Sequence, residues 1–333
     1  MLPNVTFAPQ NKVKAFRFFF FFFSFFLSGT GYKGWAQPYD PSAGQPGSKA
    51  ISHLSPLFRS WASEVVDIQR GYRHIQVPDS GFADAGIPEN ALGPALTAGV
   101  VSLGDKGSIT LRFNPPIRDG EGADFAVFEN GFSETFLELG FVEVSSDGVH
   151  FVRFPAVSGS SLDAQIPGFG SVNAQNIYNL AGKYHLGYGT PFDLRELQSE
   201  AGLNRESVSH VRVVDVVGSI VPGIGSVDSR GNLINDPFPT PFPTSGFDLD
   251  AIGVINQAQS ESGIRPNRLR QGEMLEVFGV SGPKEVCLFT SRGSEAGRFT
   301  CNAAGQFWPN GLPKGLYFVR VSGLQEAFPL ILW

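Results

Sequence analysis

Cysteine is nearly absent: Cys287 and Cys301 are the only two in 333 residues. At most one disulfide can form, and no Cys/His spacing builds a zinc site. An excess of positive charge is missing as well. Twenty-five Lys and Arg face 31 Asp and Glu, for a net charge of −6, so no basic face is available to displace counterions from a nucleic acid. The histidines (His53, His74, His150, His185 and His210) are few and scattered, and no Gly-x-Ser-x-Gly elbow occurs. Nothing in the order of residues therefore assembles a Ser-His-Asp site. Charged residues make up only 17% of the chain, whereas Gly (40), Pro (24) and Phe (31) are plentiful. That balance describes a loop-rich β protein rather than a helical one.

Long apolar runs are also lacking, with one exception. Phe18 to Leu27 is a ten-residue apolar stretch, well short of the roughly 20 residues of a membrane span. Lys12, Lys14 and Arg17 precede it, and Gly34-Trp35-Ala36 precedes Gln37. This is the layout of a secretory signal over residues 1–36, with cleavage after Ala36 and a destination outside the cytoplasmic membrane. No cysteine near that point gives a lipoprotein pattern. Gly29 to Gly34 matches a dinucleotide fingerprint by letter, but no βαβ unit surrounds it. Residues 37–60 read as a linker, Pro/Gly/Ser-rich and flexible over Gln37 to Lys49. Leu57, Trp61, Val65 and Ile68 stand at helical spacing and predict a short helix over 57–68.

The chain is organised around residues 108–132. Ile109-Thr-Leu-Arg-Phe113 and Phe125-Ala-Val-Phe128 alternate with period two about a Pro/Gly/acid loop from Asn114 to Asp124, the signature of two strands of a half-buried sheet. Glu129, Asn130 and Gly131 leave the second strand together. Gly140 to Phe154 reads as a hairpin about Asp147-Gly148. Val208 to Val217 is a further strand, and Gly246 to Ile255 another, with Asp248 and Asp250 two apart and so on one face. Ile109, Leu111, Phe113, Phe125, Val127, Val142 and Val144 are the expected core. Between these strands lies a long excursion over 158–200, of the kind usually kept for function.

The motifs Val-Ser-Leu-Gly104, Gly-Ser-Ile-Thr-Leu-Arg-Phe113, Gly-Ala-Asp-Phe-Ala-Val-Phe-Glu-Asn130, Phe-Val-Glu-Val-Ser-Ser-Asp-Gly148 and Gly-Phe-Asp-Leu-Asp-Ala-Ile-Gly-Val-Ile255 occur in that order. Together they resemble bacterial cell-surface proteins with a galactose-binding-like (discoidin-like) jelly roll, here assigned to residues 61–256. Residues 263–333 have a separate rhythm. Pro266-Asn267 and Lys314-Gly-Leu-Tyr-Phe-Val-Arg320 are similar to the C-terminal sorting domain of type IX secretion cargo, although the tail Leu330-Ile-Leu-Trp333 departs from the usual basic ending. Both cysteines fall in this module, as one short-loop disulfide or as two reduced, buried thiols. The fold class is thus all-β: an antiparallel jelly-roll sandwich followed by a small C-terminal β-sandwich.

The resemblance implies a non-catalytic binder, often with a structural calcium. Oxygen donors at strand ends suit Ca²⁺, which takes six to eight of them. Asp124, Glu129, Asn130, Asp248 and Asp250 are the expected ligands of one such ion, with the Asp228/Asn232/Asp236 loop as a second candidate. The same residues also make ordinary turn hydrogen bonds. Tyr178, Tyr184, His185, Tyr188, Phe238 and Phe242 lie among Gly and Pro, where they either stack on a sugar or small ligand or fold back to cap the sandwich. The expected function is an exported cell-surface protein that binds a glycan or other small ligand. Its partners would be the type IX secretion machinery and the outer-membrane surface. The alternatives are a structural or adhesive surface protein, an accessory to an outer-membrane nutrient receptor such as one for cobalamin, or, last, a glycoside hydrolase using Asp248/Asp250 or Glu121/Asp124.

Overall fold

The computed structural model describes residues 39–258, 263–265, 268–280, 282–324 and 327–333. The signal segment, the Gly29 to Gly34 fingerprint and Pro266-Asn267 lie outside the described residues. Every regular element of more than four residues is a strand, and among the described residues no helix is long and apolar enough to cross a membrane.

Two sheets make the first sandwich. One has the order β3 (Glu64–Gln69), β5 (Ser108–Ile117), β12 (Val208–Asp215), β7 (Gly140–Ser145), β8 (Val152–Arg153). The other runs β1 (Ile51–Ser52), β11 (Tyr188–Phe192), β6 (Phe125–Glu129), β13 (Asp248–Val254), β2 (Ser60–Trp61), with β4 (Val101–Ser102) also on β13. All these pairings are antiparallel. The chain changes sheet at each step from β5 to β6 to β7, and again from β11 to β12 to β13, which is how a jelly roll is wound. A small ladder of β9 (Val157–Ser158) and β10 (Ile177–Tyr178) braces the long excursion.

The alternation explains the core. Ile109, Leu111, Phe113, Phe125, Val127, Val142 and Val144 all lie in one buried cluster between the sheets, with Val211, Val213, Ile252 and Val254. The opposite face of β6 and β13 is not left to solvent: Phe128, Ala126 and Ala251 are covered by Ile51, Phe58 and Trp61. Two of the three covering residues, Ile51 and Phe58, come from the stretch expected to be linker. The segment from Tyr39 is built into the body, with Tyr39 N–H donating to the Gln175 carbonyl and β1 pairing with β11.

The helix expected over 57–68 is instead two strands, β2 and β3. The register of β3 against β5 shifts between Val65 and Asp67. An extra residue in a bulge places Val65 and Ile68, three apart, on the same core-facing side, and both pack on the main cluster. The bulge accounts for the last step of the helical spacing, Val65 to Ile68, whereas Trp61 packs on the other sheet and Leu57 is exposed. The hairpin of β7 and β8 forms, but its turn is longer than Asp-Gly. Asp147 Oδ1 accepts from the Val149 and His150 amides and from Ser145 Oγ.

The C-terminal module is a smaller sandwich with its own core of Leu275, Val277, Val286, Leu288, Phe307, Val319 and Leu330 among others. One sheet has β14 (Gly263–Arg265), β16 (Leu275–Phe278) and β19 (Gln306–Phe307). The other has β15 (Arg268–Leu269), β21 (Ala327–Leu332), β20 (Gly315–Val321), β17 (Lys284–Thr290) and β18 (Glu295–Cys301). Cys287 and Cys301 are free thiols, only the second of them buried. On paired strands Cys287 faces Arg298 while Cys301 faces Lys284. Three register steps separate them by about 10 Å, beyond disulfide reach.

Candidate functional site

Near the end of β6 and the start of β13, where Leu249 lies opposite Glu129, three acids are held out of water: Glu129, Asp248 and Glu138. Glu129 is 1% exposed. Its Oε2 accepts the Gly131 amide at 2.7 Å, whereas Oε1 has no hydrogen-bond partner. A Cβ on Gly131 would sit 2.9 Å from the Phe136 carbonyl and 3.0 Å from Glu129 Oε2, so this turn requires glycine. Asp248 Oδ2 accepts from Asn130 Nδ2 at 3.2 Å. Asp248 Oδ1 and the Ser102 hydroxyl are both buried without a hydrogen-bond partner, although Ser102 is near enough to Asp248 to favour its charged form. Glu138, between core residues Leu137 and Leu139, is 8% exposed.

Burial is the first influence on all three carboxyls and drives each upward. Asp248 reaches about 6, drawn back by Ser102, Asn130 and Arg70. Glu129 rises well above the ordinary glutamate value, pushed further by Asp248 and Asp250 although the Gly131 and Asn130 amides oppose it. Glu138 also rises well above the ordinary glutamate value, and its neighbours Glu129, Asp248, Asp236 and Asp215 all add to burial. Arg70 faces Asp248, but its guanidinium is committed to the carbonyls of Ala85, Ser102 and Gly86.

Other buried acids in this region hold loops by backbone amides. Asp215 accepts from Phe247 N at 2.7 Å and Lys106 N at 3.0 Å, Asp105 from Ile75 N at 2.7 Å, and Asp236 from Leu139 N at 3.1 Å. Gly246 (φ 72°) makes the Asp215 contact feasible, since a Cβ there would lie 2.6 Å from Asp215 Oδ1.

The five expected calcium ligands do not converge on one point. Glu129, Asn130 and Asp248 come together. Asp250 is in their electrostatic reach, but both its oxygens receive the Leu96 amide, at 3.0 and 3.1 Å. That contact holds Leu96 in a left-handed conformation, φ 64°. Asp124 lies before β6, at the opposite end of the strand from Glu129, about 17 Å away at strand rise. Its oxygens are filled by Gly120 N, Leu194 N and Asn256 Nδ2 at 2.7–2.9 Å. It does approach Asp119 and Asp193; among the described residues this is the trio of His, Cys, Asp or Glu ligand atoms that all lie within 4.8 Å of one another. Arg205 already pairs with Asp119 there, and Asp193 Oδ1 caps Arg195 N. In the 228–236 loop, Asp228 accepts from the Arg230, Asn232 and Ser158 amides, and Asp236 turns away to Leu139. Those are the contacts of a turn-former.

The six candidate aromatics scatter to four places. Tyr178 and Tyr184 line a pocket of about 250 Å³, with Asp40, Lys49, Asn179, Lys183, Thr190 and Glu196 among its other walls. His185 and Tyr188 contact one another, centroids 5.0 Å apart, outside that lining. Phe238 is buried, edge-on to His74. Phe242 belongs to an exposed row in which Phe132, Phe136, Phe169 and Phe242 follow at 5.4, 6.1 and 5.7 Å.

The pocket floor is charged and buried. Lys183, 3% exposed, donates to the Ile177 carbonyl at 2.8 Å and pairs with Asp40 at 3.0 Å. Tyr184 donates its hydroxyl to the same Asp40 carboxylate. Tyr178 stacks on Tyr39 at 5.0 Å and donates to Glu196 at 2.8 Å. Asn179 also donates to Glu196. Thr190, from β11, is 3% exposed and its hydroxyl has no partner. The Gly/Pro surroundings of Tyr178 and Tyr184 marked the region, but Lys183 was missed and nothing in the sequence joined Tyr184 to Asp40, 144 positions earlier.

No protein-family profile matches the chain, and no curated protein does. Solved structures that align with it include the β-glucuronidase from Ruminococcus gnavus in complex with C6-substituted uronic isofagomine. That alignment covers 84% of this chain and 46% of that one, at 10% identity and a TM-score of 0.21. A second structure, titled the crystal structure of Ruminococcus gnavus β-glucuronidase, gives 11% identity over 84% and 45% with the same TM-score. The chain spans less than half the length of either. At such a TM-score the likeness carries no argument about fold or activity.

Proposed function

We propose that this is an exported, non-catalytic binding protein whose jelly roll takes a small, neutral, hydroxyl-rich ligand of the glycan class in the Tyr178/Tyr184 pocket. One observation carries the reading: Thr190, whose buried hydroxyl has no partner in the fold, stands in the wall of a pocket that two tyrosines also line. A buried hydroxyl without a partner is costly unless something arrives to bond it. Aromatic faces and fixed polar groups are what a sugar ring meets in a protein site. Of the ionic groups that line it, Lys183 pairs with Asp40 and Glu196 accepts from Tyr178 and Asn179, while Lys49 and Asp193 balance one another in charge, which favours a ligand without net charge. Export rests on the basic residues and short apolar run before Gln37, and surface delivery on the likeness of residues 263–333 to a type IX sorting domain.

The test is a calorimetric screen of neutral mono- and oligosaccharides against the full chain, with Tyr178→Ala and Thr190→Val as controls. Binding that both substitutions weaken supports the reading. Saturable binding indifferent to both, or cleavage of a saccharide, overturns it.

A further inference from the structure

We infer that Arg59 and Arg118 form a binding site for a tetrahedral dianion, a sulfate or phosphate group, where the chain leaves β13. A cavity of about 350 Å³ opens there, lined among the described residues by Arg59, Arg118, Asn256, Gln257 and Ala258. Two guanidiniums thus share its walls, and no carboxylate among the described residues does. Backbone bonds root both arginines on one short stretch of chain. The Arg59 amide donates to the Val254 carbonyl at 2.8 Å, and the Arg118 amide to the Asn256 carbonyl at 3.1 Å. Ala258 N–H donates in turn to the Pro116 carbonyl at 2.8 Å, and Ile117 bridges to Gln257. Arg59 immediately precedes β2 and Arg118 immediately follows β5. Each arginine therefore has a fixed backbone and a side chain left free.

What the two arginines lack is a partner. Acids outnumber bases in this chain, and Arg73, Arg112, Arg153, Arg205 and Arg212 each pair with a carboxylate. Among the described residues neither Arg59 nor Arg118 has an ion pair or a side-chain hydrogen bond. The nearest acids are already engaged. Asp119, next to Arg118 in the chain, is taken by Arg205, and N–H donors fill both oxygens of Asp124. Gln257 gives Nε2 to the Pro115 carbonyl at 2.9 Å; that nitrogen carries two hydrogens, so one remains for a ligand. Each guanidinium adds five N–H donors in a planar fork that matches oxyanions. Two such forks around one anion balance a double negative charge, which selects sulfate or phosphate over a carboxylate. The cavity adjoins the Tyr178/Tyr184 pocket through Ala123, which lines that pocket and accepts from Asn256 Nδ2 at 3.2 Å. The two sites read different chemistry, and this one does not rest on the saccharide reading.

The experiment titrates the full chain with sodium sulfate, inorganic phosphate and sodium acetate in separate runs, read by calorimetry at constant pH and ionic strength. Sulfate or phosphate should saturate a single site, and the tighter of the two identifies the group the site takes. Acetate should bind about tenfold more weakly or worse. Arg59→Gln and Arg118→Gln should each weaken the tighter anion about tenfold or more, the scale of one lost hydrogen bond between charged groups. Both variants should melt with the wild-type protein in chloride, since neither side chain is bonded in the fold. Arg230→Gln, which removes an exposed arginine from the 228–236 loop, should leave binding unchanged. Absence of saturable binding for both dianions overturns the site. So does binding that survives Arg59→Gln and Arg118→Gln together, that Arg230→Gln weakens equally, or that acetate matches. No saccharide is present, so failure here and failure of the Tyr178/Tyr184 pocket are read separately.

Discussion

Thr190 carries a hydroxyl 3% exposed and without a partner, so its removal separates binding from stability. Valine has nearly the same shape. Thr190→Val should leave the melting temperature unchanged or slightly higher while reducing saccharide affinity five- to tenfold, about 1 kcal/mol for one lost hydrogen bond. A variant that melts markedly lower would show that the hydroxyl is bonded in the free protein. The Asp40–Lys183 pair behaves in the opposite sense. Burial pushes Asp40 upward, but the Tyr184 hydroxyl and Lys183 overcome it and hold the carboxyl below the ordinary aspartate value. Asp40→Ala strands a buried ammonium and should cost about 3 kcal/mol, the usual scale for breaking one side of such a pair. Lys183→Met in the same chain should restore part of that loss. Urea unfolding of the two single variants and the double variant measures the coupling, and additive losses would mean the two charges do not interact.

The element scale is where the sequence was most and least legible. Alternation in Ile109 to Phe113, Phe125 to Phe128 and Val142 to Val144 was sufficient to name the core, because a strand has only two faces and one of them must be apolar. Val127 sits in β6 at the centre of its sheet, between β11 and β13. Val127→Asp should cost several kcal/mol and leave no cooperative transition at 25 °C, since an unpaired carboxylate would replace a methyl pair between the sheets. Circular dichroism melting decides it: an unchanged midpoint would place Val127 outside the core. Where periodicity is broken, the same reasoning failed. The β3 bulge counterfeited a helix through Val65 and Ile68. The six loop aromatics shared only their Gly/Pro surroundings, and composition does not say which loops meet. Asp124 and Glu129 look alike in sequence as acids flanking one apolar strand. Four residues of extended chain nonetheless separate them, and only the end at Glu129 meets the start of β13, at Leu249. Glu138 was missed although it left a trace: a lone glutamate in Phe136-Leu-Glu-Leu-Gly-Phe-Val142 breaks an otherwise apolar run. The disulfide question needed strand register, which two cysteines alone do not reveal.

At the scale of the whole molecule, the buried acids make stability depend on pH in a direction unusual for an acidic protein. Asp105 is a clear case. Burial raises it to about 6, against the pull of the Ile75 amide and Lys106. Its neighbour Asp215 is pushed well up by burial and by Asp105 itself, with the Phe247 and Lys106 amides opposing. Asp236 is raised in the same way, by burial first and Asp105 later. A carboxyl whose folded value exceeds its unfolded one binds its proton more tightly when folded. The stabilisation is therefore complete below the unfolded value, near 4, and is lost as pH rises through the folded value, near 6 for Asp105. Metal-free protein should accordingly become more stable as pH is lowered from 7.5 toward 5, by on the order of a few kcal/mol over that interval. Asp40 opposes the trend only at lower pH, because its depressed value keeps it charged throughout that range. Asp105→Asn, which keeps an oxygen for the Ile75 amide, should raise stability at pH 7.5 and flatten the profile. Urea titrations of both proteins in EDTA at pH 5, 6 and 7.5 measure this directly. A wild-type protein most stable at pH 7.5 in EDTA would mean that these carboxyls are ionised and compensated in the fold, and the account of the buried acidic end would fail.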